Sequence, residues 1–181
     1  MNNLVHADMP IEERMACDKV EKYFENWYYN LDRKSENFCF KYGLDWKNTQ
    51  GNNKKHIKKI RTSILCTPDY ICYDSVKDEF FFVEVKKCGY YFSLKQEQFK
   101  YYKQWQNNYP VRFWIYNEYM VNQTHTIKKI AYISTDLLDE LINTNNYKET
   151  TWSKERKDPN DCKKLMWKIP FKDIYESLQS L

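Results

Sequence analysis

Hydrophobic and polar residues follow two different periods along this chain, and each period predicts a type of element. Between Pro10 and Leu31 the apolar residues recur every three or four positions, which is typical of an amphipathic helix. Pro10 suits the first turn of that helix, and Glu12 and Glu13 lie near the positive end of its dipole. The predicted buried stripe consists of Ala16, Val20, Tyr23, Phe24, Trp27 and Leu31.

A strand-like pattern follows in the middle of the chain. Two runs rich in Tyr, Ile, Phe and Val flank a polar segment at residues 75–78, which predicts a β-hairpin with a four-residue loop. If Asp74 faces Glu79 across that loop, Asp69 falls directly opposite Glu84 on the paired strand. The pattern therefore brings two carboxylates to one place in the sheet.

The charged residues of the second strand share one face. Side chains alternate between the two faces of a strand, so Glu84 and Lys86 lie on one face and Val83 and Val85 on the other. Two neighbouring carboxylates repel each other when both are ionised. A hard divalent cation that binds carboxylate oxygens removes this penalty, and it can activate water for attack on a phosphoryl group.

These residues carry a family resemblance. Pro68 and Asp69, a gap of fourteen residues, and then Glu84, Val85 and Lys86 resemble the signature of the PD-(D/E)XK nuclease superfamily. Its members share the fold of restriction endonucleases and cut phosphodiester bonds with Mg²⁺ or Mn²⁺. The resemblance implies that Asp69, Glu84 and the carbonyl of Val85 bind the ion, and that Lys86 positions the attacking water or stabilises the transition state.

The alternative is a surface hairpin on which Glu84 and Lys86 are merely solvated neighbours. Residues 80–83 and Val85 are all apolar, so the second strand has no clearly polar face apart from the charged pair. Such a strand is typical of a sheet that is covered on both sides. This pattern favours a buried site.

Two helices are expected to complete the site. Glu13 lies within the apolar stripe of the first helix, and Glu13 followed by Arg14 is similar to the pattern of archaeal junction resolvases. The resemblance makes Glu13 a further metal ligand, with Glu21 as the substitute; the alternative is a solvated Glu13 at a frayed helix end. Gln98 and Tyr102 resemble the Q-x-x-x-Y element of RecB-like nucleases, which implies that they help to hold substrate.

Capping signals mark the later helices. Ser93 and Gln96 match a capping box, which predicts a helix that ends before Pro110. Ser134 or Thr135 is expected to cap a short helix that ends near residue 143. Residues 148–164 are expected to form a basic loop, and residues 172–181 a closing helix. Further strands are predicted at residues 38–42, 60–64, 111–116 and 131–134.

This element order predicts an α/β fold. The resemblance implies the restriction-endonuclease-like α-β-β-β-α-β core, with a mixed central sheet flanked by helices. The 181 residues suffice for one domain with a proper core, and 42% of them are hydrophobic, which excludes a disordered chain. We expect a single nuclease domain over residues 1–181, with the basic loop and closing helix at 148–181.

The net charge of +4 permits a polyanionic partner without requiring one. The densest positive cluster lies just before the hairpin, and its side chains are expected to contact phosphates, with an ordinary charged surface as the alternative. The predicted nucleic-acid-binding residues are Lys54, Lys55, Lys58, Lys59, Arg61, Lys87 and Tyr102.

The six cysteines are scattered and include no C-x-x-C pair, which argues against a zinc ribbon or a disulfide-rich scaffold. We expect a reducing intracellular compartment, cytoplasm or nucleus, with no signal peptide and no membrane span. The resulting hypothesis is a metal-dependent endonuclease acting on DNA more readily than RNA. A branched-DNA resolvase working as a homodimer and a homing or restriction-type endonuclease are both compatible. An RNA endonuclease or a non-catalytic nucleic-acid-binding module is the alternative.

Overall fold

The computed structural model describes residues 11–31, 36–42, 66–122, 125–147, 149–152 and 164–179; the side chains of residues 11–17, 120–122, 125–127, 151–152 and 164 are not described. The elements in chain order are α1 (Ile11–Asn30), β1 (Phe38–Lys41), β2 (Tyr70–Asp74), β3 (Glu79–Cys88), β4 (Tyr91–Lys95), α2 (Gln96–Trp105), β5 (Val111–Asn122), β6 (His125–Ser134), α3 (Thr135–Asn145), β7 (Glu149–Trp152), β8 (Lys164–Pro170) and α4 (Phe171–Ser177).

The main sheet has five strands in the order β1-β2-β3-β5-β6. Strands β3 and β5 pair in parallel and the other neighbours are antiparallel, so the sheet is mixed. Helices pack on both faces, which confirms the predicted α/β architecture. The hairpin register is also confirmed, because Asp74 pairs with Glu79 and the ladder continues to Tyr70 opposite Val83.

Helix α1 covers one face of this sheet. Its buried residues Val20, Phe24 and Tyr28 join a cluster that includes Val83 and Val85. Tyr28, absent from the predicted stripe, is also buried, and its hydroxyl is satisfied by a 2.8 Å hydrogen bond that it donates to the carbonyl of Tyr73. Two predicted stripe residues are instead exposed, Tyr23 and Leu31.

The other face of the sheet is covered by α2, α3, α4 and a second sheet. This second sheet has three antiparallel strands in the order β4-β8-β7. Aromatic side chains join this sheet to the main core, since Phe92 of β4 lies against Phe113 and Trp167 of β8 lies against Phe99 of α2. The sheet was absent from the sequence-based prediction.

The predicted capping box at Ser93 is wrong. Ser93 lies within β4 opposite Lys168, and α2 begins only at Gln96, after an N-cap residue that supplies no side-chain cap. Gln96 instead donates a 2.7 Å hydrogen bond to Glu149. The alternation in β4 buries Phe92 and Leu94, so strand pairing overrides the local cap signal.

Other boundaries differ in smaller ways. Part of the predicted loop at 148–164 is strand β7, and the closing helix runs over Phe171–Ser177. Ser134 caps α3 as predicted, since its hydroxyl accepts a hydrogen bond from the backbone N–H of Leu137. The expected strand at 60–64 lies outside the described residues, as does the stretch 153–163.

Four cysteines of the described chain are buried free thiols, namely Cys39, Cys66, Cys72 and Cys88. A buried reduced thiol behaves as a small hydrophobic side chain. Within the described ranges, no helix is both long and apolar enough to cross a membrane.

Candidate active site

Asp69 lies immediately before β2 and is held from two sides. Its carbonyl oxygen accepts a 2.8 Å hydrogen bond from the N–H of Tyr42, the residue after β1. Its side-chain Oδ2 accepts another, also 2.8 Å, from the backbone N–H of Val85 on β3. Because the β2–β3 register continued by one residue sets Asp69 opposite Glu84, these bonds fix the aspartate beside that glutamate.

Glu84 is a carboxylate enclosed in the protein, with 2% of its surface exposed. Its Oε1 forms an ion pair with the ammonium group of Lys86, two residues further along the same strand. Its Oε2 is buried and has no hydrogen-bond partner among the described residues. A buried polar atom of this kind costs about 1–3 kcal/mol, and more when it is charged.

The two carboxylates disturb each other electrostatically. Burial and the nearby charge of Glu84 raise the pKa of Asp69 to about 7, although Lys86 and the Val85 N–H act in the opposite direction. A bound cation would remove the repulsion and would supply the missing partner of Glu84 Oε2. The oxygen donors at this position therefore fit Mg²⁺ or Mn²⁺.

The described residues supply two acidic ligands at this position, Asp69 and Glu84. No group of three His, Cys, Asp or Glu side chains suited to a metal is present in the described part of the chain. Mg²⁺ commonly binds through one or two carboxylates and keeps several waters, so two acidic ligands suffice for it. The Val85 carbonyl stays the predicted third ligand.

Helix α2 lies over the same face as Glu84 and contributes a polar pair. Gln98 Nε2 donates a 2.6 Å hydrogen bond to the hydroxyl oxygen of Tyr102. Burial first, and then the charges of Glu84 and Asp69, raise the pKa of the Tyr102 hydroxyl well above its ordinary value. The phenol therefore stays neutral beside the carboxylates.

The expectation that Tyr102 binds nucleic acid directly is corrected. Its side chain is 0% exposed and has no surface to offer to a ligand. The same face of α2 carries Phe99, also buried, which places the tyrosine within the core between helix and sheet. Tyr102 therefore packs beside Glu84 in the core rather than at the surface.

The acidic residues of α1 have different positions. Glu13 belongs to the first turn of α1, but its side chain lies outside the description. The packing residues of α1 contact Val83 and Val85, on the face opposite to Glu84. The substitute, Glu21, forms a 2.6 Å ion pair with Lys41 on β1.

The predicted phosphate-binding residues are mostly beyond the description. Lys54, Lys55, Lys58, Lys59 and Arg61 all lie outside it. Lys87 is described, and its ammonium group forms a 2.9 Å ion pair with Glu118 on β5. Alternation along β3 directs Lys87 to the face opposite to Lys86.

Sequence reasoning missed Tyr42, whose N–H holds Asp69. Strand β1 was predicted, but its partner was not, because pairing between segments about thirty residues apart leaves no local signal. The observed pairing of Lys41 with Tyr70, continued by one residue, sets Tyr42 beside Asp69.

Comparison with known proteins adds little to this picture. No protein-family model and no curated protein matches the chain. Among solved structures, it is similar to D212, a nuclease from a fusselovirus, over 95% of this chain and 92% of that chain. The sequence identity is 14% and the TM-score is 0.44, a level of likeness from which neither fold nor function follows.

Proposed function

We propose that the protein is a metal-dependent nuclease that hydrolyses phosphodiester bonds, with DNA preferred over RNA. The observation that carries the proposal is the buried Glu84, whose Oε2 lacks a partner in the described structure while Asp69 and Lys86 stand beside it. This combination of two carboxylates and an ammonium group is the one that the family resemblance predicts.

A purely structural ion pair explains the arrangement less well. A pair between Glu84 and Lys86 would neutralise one charge, leave Glu84 Oε2 without a partner and leave Asp69 with a pKa raised to about 7 by burial and by Glu84. Removing such groups from water costs several kcal/mol per ion unless partners replace the lost hydration. A bound cation would offset this desolvation cost.

Each residue of the candidate site has a proposed role in hydrolysis. Asp69, Glu84 and the Val85 carbonyl would hold Mg²⁺ or Mn²⁺, with Glu13 as an additional ligand from α1. When bound, such an ion lowers the pKa of water and offsets charge on a phosphoryl group. Lys86 donates hydrogen bonds that orient the attacking water or stabilise the charge that develops on the phosphate. Gln98 positions Tyr102 against Glu84.

The decisive experiment is a cleavage panel of linear duplex, single strands, a four-way junction and RNA, each with Mg²⁺ or Mn²⁺. We expect cleavage of DNA that EDTA stops. Lys86→Ala should abolish cleavage, whereas Lys172→Ala, which removes an exposed lysine on α4, should leave it intact. Equal cleavage by the wild type and Lys86→Ala would reject this site.

The panel also separates the remaining alternatives. Preferential cleavage of the junction by a homodimer would indicate a resolvase, and cleavage at one sequence of a linear duplex a homing or restriction-type enzyme. Cleavage of RNA alone would favour the RNA endonuclease. Calorimetric titration that detects no Mn²⁺ binding to the wild type would favour a non-catalytic nucleic-acid-binding module.

A further inference from the structure

Three cross-strand rows of side chains lie on the sheet face that carries Glu84. The β1–β2 and β2–β3 registers define them, with the first row obtained by continuing both registers by one residue. Neighbouring rows are two residues apart along each strand, which is about 7 Å. Read from β1 through β2 to β3, the rows are Tyr42, Asp69 and Glu84; Phe40, Ile71 and Phe82; and Phe38, Tyr73 and Phe80.

The candidate site thus continues directly into an aromatic surface. Its five members are at least 38% exposed, although each is a large apolar side chain. Three of them, Phe40, Phe80 and Tyr109, line a groove of about 190 Å³ to which Ile71 and Phe82 also contribute. Soluble proteins seldom expose this many large apolar side chains together unless something binds there. The members of the aromatic surface are Phe38, Phe40, Tyr42, Phe80 and Tyr109.

The chemistry of this surface favours flat ligands. All five members are aromatic, whereas a general hydrophobic interface would also use Leu, Ile and Met. Some rings are already nearly parallel, with an angle of 15° between Phe38 and Phe40 and 27° between Phe38 and Tyr73. Aromatic side chains on an open sheet face provide stacking positions for nucleobases.

The carboxylates nearest to the aromatic surface lie on the other side of the sheet or at the end of the surface away from the candidate site. Glu79 lies at a register position that faces the other side of the sheet, where it forms a 3.0 Å ion pair with Arg112. Asp78, in the hairpin loop, accepts a 2.8 Å hydrogen bond from the hydroxyl of Tyr73. The hydrogen bond to Asp78 and the charge of Glu36 raise the pKa of Tyr73, and Tyr73 belongs to the row farthest from the candidate site.

We propose that the aromatic surface binds the unpaired bases of single-stranded DNA whose backbone enters the candidate site. The inference rests on the proposed nuclease function and narrows its substrate to single strands or to the single-stranded parts of branched DNA. Bases within a duplex are already stacked on each other and cannot offer their faces to Phe40 and Phe80. The single-stranded DNA would run across the three rows, from Phe38 past Phe40 to Asp69.

The test measures binding without cleavage. Fluorescence anisotropy of a labelled oligothymidylate in EDTA compares the wild type with Phe40→Leu/Phe80→Leu, which keeps apolar area but removes two rings. We expect affinity to fall about tenfold or more, as loss of base stacking requires. The matched control is Ile130→Ala, which alters an exposed apolar residue on β6 at the opposite edge of the sheet and should bind normally. The wild type should also prefer oligothymidylate to duplex of equal length.

Other occupants of the surface give different results, and each would overturn the proposal. If a second copy of the chain covers it, sedimentation should show a dimer that the double variant dissociates, with oligonucleotide affinity unchanged. If the surface only packs against the chain itself, the variant should lose thermal stability without losing affinity. Because the assay contains no metal, its outcome is independent of the Lys86→Ala cleavage result that tests the nuclease function.

Discussion

Gln98 holds the hydroxyl oxygen of Tyr102 with a 2.6 Å hydrogen bond from its side-chain amide, one helical turn away on α2. The tyrosine oxygen is therefore the acceptor in this bond, and its own proton is not used in it. Since the pKa of Tyr102 is raised by burial and by Glu84, that proton is retained across the working range of pH. The helix thus keeps a neutral hydroxyl near the buried glutamate.

Removal of this hydroxyl should weaken the site without unfolding the protein. Tyr102→Phe keeps the buried ring and deletes one donor, so we expect a loss of only about 1 kcal/mol in the free energy of unfolding. Groups that orient metal ligands typically contribute about 10- to 100-fold to metal affinity or activity. Calorimetry with Mn²⁺ and a cleavage assay should both show a loss of that size.

Tyr101→Phe is the matched control, because Tyr101 is the next residue on α2 and is only half-buried. It should leave Mn²⁺ affinity unchanged. Equal effects of the two substitutions would mean that the hydroxyl of Tyr102 has no special connection with Glu84.

The pKa of Asp69 predicts how the stability of the metal-free protein depends on pH. Burial and Glu84 raise this pKa to about 7 in the folded state, above the ordinary value of 3.8. The folded state then binds more protons than the unfolded state between these two values, so stability should fall as pH rises from about 4 to 7. Thermal unfolding in EDTA across this range measures the effect, and Asp69→Asn should flatten the curve.

The same shift predicts a pH dependence of metal binding. A metal ion binds the ionised carboxylate, so Mn²⁺ must displace the proton from Asp69 below its pKa. With one proton displaced, the affinity for Mn²⁺ should be about tenfold higher at pH 8 than at pH 6. A titration that gives the same affinity at both values would contradict the raised pKa.

Two serines provide a matched test of helix capping. Ser134 accepts a hydrogen bond from the N–H of Leu137 at the start of α3, whereas Ser93 lies within β4 and caps nothing. Ser134→Ala should lower the free energy of unfolding by about 1 kcal/mol. Ser93→Ala should change it little, since Ser93 is exposed on its strand. Denaturant unfolding of both variants measures the difference.

The central hairpin was predictable because its signals are local. The four-residue loop fixes the register, and a fixed register sets Asp69 opposite Glu84 without any knowledge of the rest of the fold. The alternation of β3 then separates Val83 and Val85 from Glu84 and Lys86, and in the structure it is the valine face that packs against α1. The functional roles of these residues stay a prediction.

The second sheet was not predictable in the same way. Ser93 and Gln96 have the spacing of a capping box, and the partner that turns Ser93 into a strand residue is Lys168, 75 positions away. Leu31 was predicted to be buried but is exposed. The apolar stripe identifies the face of α1 that packs on the sheet, but it does not show where along the helix that packing ends. Tertiary contacts decided both outcomes.

Strand β8 contributes no side chain to the candidate site, but it helps to position the helix that packs beside Glu84. It pairs with β4, which leads directly into α2, and Trp167 on β8 lies edge-on to Phe99 of that helix at 5.9 Å. Helix α2 is thus packed against residues that are synthesised about sixty positions after it. A nascent chain that ends before β8 would already contain Asp69, Glu84 and α2 but would lack the strand that packs against this helix.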